Sequence, residues 1–140
     1  MRSDGSGRVF WIIWKNSRGG LAQTTELIVF EPDLLFSSRV ESAATKAGVQ
    51  VKVFGNLEEF ILEAKQSTAQ VALVNLDATE GKLASLEGLP KNASCNVIGY
   101  YSHVNSRLAE EARRVGVNMV LSRGAFVSKL EGILKEFSSG

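Results

Sequence analysis

A single doubly wound α/β domain, in which five parallel strands alternate with five helices, is the fold class this sequence predicts. Three observations carry it. Short apolar runs recur along the chain with helical patterns between them. The connections are short, and right-handed crossovers between parallel strands then put helices on both faces of the sheet. At 140 residues, with 44% apolar and 22% charged side chains, the chain suits one domain with one proper core.

The organising stretch is Val71-Ala72-Leu73-Val74-Asn75-Leu76-Asp77. Its interior suits a strand buried on both faces, and its polar end falls where open α/β sheets place their sites. The first strand is Leu27-Ile28-Val29-Phe30, closed by Glu31-Pro32-Asp33. Leu35, Phe36, Val40, Ala43, Ala44 and Ala47 then recur at helical spacing, and Gly48 is the expected stop. Val49, Val51 and Val53 alternate with Gln50 and Lys52, as an edge strand would. Asn56 caps a second helix whose inner face is Leu57, Phe60, Ile61 and Ala64, and the polar break Gln66-Ser67-Thr68 follows.

After the central strand the pattern is less regular. Leu83, Leu86 and Leu89 lie three apart, and Gly88, Pro90, Asn92 and Ser94 punctuate the end, which predicts a short third helix and a loop. Val97-Ile98-Gly99-Tyr100-Tyr101 is the fourth strand; Tyr100 and Tyr101 leave it on opposite faces. Asn105 or Ser106 caps the fourth helix, whose apolar face is Leu108, Ala109, Ala112 and Val115, with Gly116 at its end. Val117 to Leu121 is the fifth strand, Ser122-Arg123-Gly124 a turn, and Phe126, Val127, Leu130, Ile133, Leu134 and Phe137 mark an amphipathic fifth helix.

Residues 1–24 form a leader distinct from the domain at 25–138. Gly5, Gly7, Gly19 and Gly20 flank one apolar hexapeptide, Val9 to Trp14, that holds both tryptophans. Either it packs as an added strand or helical turn or stays poorly ordered, or it is adhesive toward a partner or membrane surface. No run reaches the roughly 18 residues of a membrane span, no export signal is visible and no nucleic-acid-binding element follows, so the expected location is the cytoplasm. A formal net charge of +1 calls for neither nucleic acid nor an acidic substrate. Cys95 is the only cysteine, which excludes an internal disulfide and a cysteine metal cluster. His103 is the only histidine and reads as structural or pocket-plugging, because a triad would need Ser102, its direct neighbour, to aim at it. No G-x-G-x-x-G or G-x-x-x-x-G-K loop cradles a phosphate.

With the element order in place, the polar residues at the strand ends resemble a known site. Glu31 and Asp33 after the first strand, Asn75 in the third, Ser102 after the fourth and Arg123 after the fifth resemble the five-point pocket of bacterial response-regulator receiver domains. The spacing matches too: 44 residues from Glu31 to Asn75, 27 on to Ser102 and 21 on to Arg123. The resemblance covers about residues 25 to 138 and implies a flavodoxin-like sheet in the order 2-1-3-4-5. In the family an acidic pair and an aspartate bind a divalent ion, the aspartate accepts a phosphoryl group from a histidine kinase, and a hydroxyl and a lysine sense it.

Each part of that machinery is altered here. The acceptor position holds Asn75, a neutral amide that cannot be the anionic nucleophile. Pro32 stands where a second carboxylate belongs, so Mg²⁺ binding is expected to be weak at best, and no cofactor is expected. Arg123 replaces the lysine, Gly124 the following proline, and Val120 the switch aromatic; His103 follows Ser102 where a small residue is usual. The resemblance therefore implies a degenerate, phosphorylation-independent receiver that is not an enzyme. It would act in signal transduction or transcriptional regulation by binding a protein partner or a second copy through the fourth helix, fifth strand and fifth helix. Two alternatives stay open. Asp77 or Asp33 could accept phosphoryl in a residually active receiver, although residues two apart on a strand sit roughly 6 to 7 Å from each other. Alternatively, Arg123 and the helix N-termini could hold a small anion or nucleotide at the strand ends.

Overall fold

The computed structural model describes residues 26–66, 69–89, 96–102 and 106–138. Five strands, β1 (Glu26–Phe30), β2 (Gln50–Phe54), β3 (Val71–Asn75), β4 (Asn96–Tyr101) and β5 (Met119–Ser122), alternate with helices. The α-helices are α1 (Leu34–Ala47), α2 (Leu57–Gln66), α3 (Ser106–Arg114) and α4 (Arg123–Ser138). The strands form one sheet in the order β2-β1-β3-β4-β5, every neighbouring pair parallel. This is the doubly wound arrangement that the alternating pattern predicts. The leader at 1–24, Ser67 and Thr68, the loop containing Cys95, and His103 and Asn105 lie outside the described residues.

Alternation along the strands divides the core into two layers. Ile28, Phe30, Ala72, Val74 and Val97 point to one face and pack with Phe60, Ile61 and Ala64 of α2 and Ala112 of α3. Leu27, Val29, Val71, Leu73, Ile98 and Tyr100 point to the other. There they meet Phe36, Val40 and Ala44 of α1 and Phe126, Leu130 and Leu134 of α4. β3 is covered on both faces because it is central, which is why its sequence is apolar without alternation. β2 and β5 are the edges, and their burial is patchier.

Local chemistry sets the helix ends. Asp33 adopts an extended backbone, and its carboxylate accepts the N–H groups of Leu35 and Phe36, two donors the first turn of α1 cannot satisfy internally. At the other end Gly48 takes a left-handed φ of 77° and returns its N–H to the Ala44 and Thr45 carbonyls. Asn56 caps α2 by accepting the Glu59 N–H at 2.9 Å. Ser122 does the same for α4, its hydroxyl accepting the Ala125 N–H at 3.2 Å.

The expected third helix is replaced by two 3₁₀ turns, Asp77–Thr79 and Leu83–Gly88, so the chain has four α-helices among the described residues rather than five. The reason lies in the leucine spacing. Three residues per turn brings positions three apart into register, and Leu83, Leu86 and Leu89 are all buried along that one line. Between the two turns Glu80 and Gly81 both take positive φ, 46° and 83°, which breaks any continuous helix. Leu76, just past β3, is completely buried, and its side chain lies 2.8 Å from where a Cβ on Gly99 would stand. Gly99 is therefore the neighbour that lets the chain turn inward at the end of β3.

Candidate functional site

The same alternation that sorts the core carries three polar side chains to one face. Glu31 continues the row Leu27, Val29. Asn75 continues Val71, Leu73, and Tyr100 follows Ile98. Asn75 lies directly opposite Tyr100 in the β3–β4 register, and the Glu31 N–H extends β1 by donating to the Phe54 carbonyl at 2.9 Å. All three thus meet at the carboxyl ends of the central strands, on the side covered by α1 and α4.

Glu31 is the centre of this group and is 2% exposed. The Asn75 amide donates to both of its carboxylate oxygens, at 3.0 and 3.1 Å. The Tyr100 hydroxyl donates to Oε1 at 2.6 Å, and the backbone N–H of Asp33 donates to Oε2 at 2.9 Å. Asn75 uses its own oxygen to accept the Ala78 N–H at 3.2 Å. An amide suits position 75 because it offers protons to Glu31 and an acceptor to Ala78 at once. A carboxylate there could do only the second.

Burial pushes the Tyr100 phenol well above its usual range, and the hydrogen bond to Glu31 and that group's negative charge push the same way; the Arg123 charge opposes them. Its ring is stacked on Phe126 at 4.3 Å and tilted against Phe36 at 5.5 Å. A group whose folded pKa is raised contributes stability that is complete below its unfolded pKa, about 10 for tyrosine, and is lost above it. The stability advantage of the parent over a Tyr100→Phe variant should therefore hold steady up to pH 10 and shrink by about 1.4 kcal/mol per pH unit beyond it. Urea unfolding of both proteins between pH 8 and about 11 checks this; parallel pH curves would refute the buried phenol–carboxylate bond.

A second set of contacts lies beside the first. Asp77 opens the 3₁₀ turn after β3, where Leu76 has already left extended geometry, so the strand alternation that would pair it with Asn75 does not apply. Its carboxylate accepts the Ser102 N–H at 2.6 Å. Arg123 donates to the Ser102 hydroxyl at 3.3 Å, and its guanidinium stands 4.0 Å over the Phe36 ring, a cation–π contact. Phe36 thus touches both the arginine and Tyr100.

The hydrogen bonds divide the five sequence-predicted positions into two sets. Glu31 and Asn75 are bonded to each other, Ser102 and Arg123 to each other, and Asp77 joins the second pair. Asp33 contributes its backbone to Glu31 and its carboxylate to the cap of α1. Among the described residues, no three His, Cys, Asp or Glu side chains gather in a way that could hold a metal ion. Sequence reasoning missed Tyr100 and Phe36 as members of the site. The signal for Tyr100 was present, since it shares strand parity with Ile98 and stands beside Asn75 across the register.

No protein-family model matches the chain, and no curated protein matches it. Solved structures do. A response regulator from Thermotoga maritima is similar at a TM-score of 0.66 with 16% identity, covering 84% of this chain and 100% of that one. A putative pilus assembly protein (cpaE) from Burkholderia thailandensis gives 0.65 with 19% identity, over 84% of this chain and 100% of that one. A CheY-like protein (tadZ) from Pseudomonas aeruginosa gives 0.63 with 21% identity, over 81% and 99% respectively. The structure thus shares the receiver-domain fold with these proteins, in the strand order the resemblance implies.

Proposed function

We propose that this chain is a phosphorylation-independent, non-catalytic receiver-like module that acts in signalling or transcriptional regulation by binding another protein. The observation that carries this reading is the Asn75 amide donating to both oxygens of buried Glu31. In the receiver fold that strand-end position is where an anionic acceptor would stand. An amide is not a competent nucleophile toward phosphorus, and here its nitrogen is engaged as a donor. A hard divalent cation fits the site poorly. One carboxylate faces it, three protein donors already occupy that carboxylate, and Asp33 is turned to the helix cap. The same fold occurs in a protein named as a putative pilus assembly protein as well as in response regulators, so the fold by itself does not assign phosphotransfer. The surface of α3, β5 and α4 is the partner or self-association face this reading favours, and a cytoplasmic location goes with it. No helix among the described residues is long and apolar enough to cross a membrane.

Treatment with acetyl phosphate and Mg²⁺ should leave the intact mass unchanged and the amide resonances around Asn75 unshifted. A stoichiometric acid-stable, hydroxylamine-sensitive adduct would overturn the proposal. One observation favours the second reading, acceptance by Asp77: its carboxylate is joined through Ser102 to Arg123, a hydroxyl and a cation suited to a phosphoryl group. Any adduct that Asp77→Asn abolishes would establish that reading instead.

A further inference from the structure

We infer that the groove between α1 and α4 docks an acidic amphipathic helix from a protein partner. The groove has a volume of about 360 Å³ and runs along the two helices from Phe36, the ring that touches Tyr100 and Arg123, to Ala47 and Lys135. Val40, Ala43 and Ala47 of α1 and Val127 and Leu130 of α4 give it an apolar floor. Its rim is cationic. Arg39 and Lys46 stand on α1 and Lys135 on α4, against one carboxylate, Glu131.

The α1 side of the rim is built at helical spacing. Leu35, Arg39, Ser42 and Lys46 follow one another by four, three and four residues and share one stripe of the helix. Leu35, at the head of that stripe, is 84% exposed and lies just outside the groove's lining. From Phe36 to Ala47 the α1 wall of the groove runs about 16 Å, the length of roughly three helical turns. An occupant helix of that length, with apolar anchors at i, i+3 or i+4 and i+7 and carboxylates flanking them, matches both the floor and the rim. The sign of the rim decides among occupants. The chain's own apolar hexapeptide is flanked by Arg8 and Lys15, which the cationic rim would repel. An apolar floor also suits a helix better than a nucleic-acid backbone.

This inference rests on the protein-interaction reading. It is tested by selecting a displayed library of fourteen-residue helices, all positions varied, against the full chain. The enriched peptides are expected to carry Leu or Ile at helical spacing with Asp or Glu beside them, and to shift amide resonances along α1 and α4. Arg39→Glu with Lys46→Glu should weaken them at least tenfold, and the milder pair Arg39→Gln with Lys46→Gln several-fold. The milder pair decides if the reversal perturbs folding. Absence of enrichment, an enriched pool without acidic bias, or peptides that map elsewhere would each overturn the inference. So would sedimentation with phosphatidylglycerol vesicles, or self-association, that the same substitutions abolish. An acyl phosphate formed with acetyl phosphate would instead sink the phosphorylation-independent reading, whatever the groove selects.

Discussion

Asn75→Asp, the change that restores a carboxylate to the strand end, is expected to destabilise the protein at pH 7 by about 4 kcal/mol, the Coulomb energy of two like charges about 4 Å apart at an effective dielectric of 20. The amide now donates to Glu31 at 3.0 and 3.1 Å, so the substitution replaces attraction by repulsion at a site that is 2% exposed at Glu31. Two carboxyls held that close share a proton, and the apparent pKa of the pair rises above the value near 4 that each has in the unfolded chain. A raised folded pKa contributes stability that is complete below about pH 4 and lost as pH climbs through the raised value. The variant should accordingly approach the parent in acid and fall away from it toward neutrality. Millimolar Mg²⁺ should recover part of the loss in the variant and leave the parent unchanged, because a cation that binds the native state alone stabilises it by mass action. Urea unfolding from pH 4 to 8, with and without Mg²⁺, reads both effects. A variant as stable as the parent at pH 7 without added cation would show that the Glu31–Asn75 bond does not hold the strand ends together.

A parallel sheet, the buried place of Val71 to Asn75 and the edge character of the second strand follow from apolar periodicity and short connections, the order 2-1-3-4-5 from the resemblance of the strand-end residues, and the structure has them. Strand parity also groups Glu31 with Leu27 and Val29, Asn75 with Val71 and Leu73, and Tyr100 with Ile98, and the structure shows that shared face to be the one covered by α1 and α4. What parity does not give is distance across strands. Tyr100 bonds to Glu31 through a pairing in which β3 sits between their strands, and no local pattern encodes that reach. Asp33 illustrates a different limit. A carboxylate two residues past a strand and just before a helix can face a pocket or cap the helix, and the unsatisfied N–H groups of Leu35 and Phe36 claim it here. The 3₁₀ turn at 83–88 stands where the short third helix is expected for a related reason: leucines three apart fit one face of either helix type.

Glu31→Ala gives the sharpest separation between a structural clamp and a functional carboxylate, because the two roles predict opposite signs. A carboxylate kept to bind a cation is unpaired in the protein itself, and its removal leaves stability unchanged or improves it. Glu31 instead accepts protons from the Asn75 amide, the Tyr100 hydroxyl and the Asp33 N–H. Deleting it strands those donors where the Tyr100 hydroxyl is buried beneath Phe36 and Phe126, and each buried donor left without a partner costs about 1–3 kcal/mol. A loss of about 3 kcal/mol is therefore expected in Glu31→Ala, with water entering the vacated space to limit it. Glu31→Gln should lose less, since its oxygen still accepts from Tyr100 while its nitrogen faces another donor. Asp77→Ala provides the control: its carboxylate accepts one exposed N–H, from Ser102, so the change should stay within about 1 kcal/mol. Chemical denaturation of the three variants at pH 7 ranks them, and a Glu31→Ala protein at least as stable as the parent would return Glu31 to the role of a cation ligand.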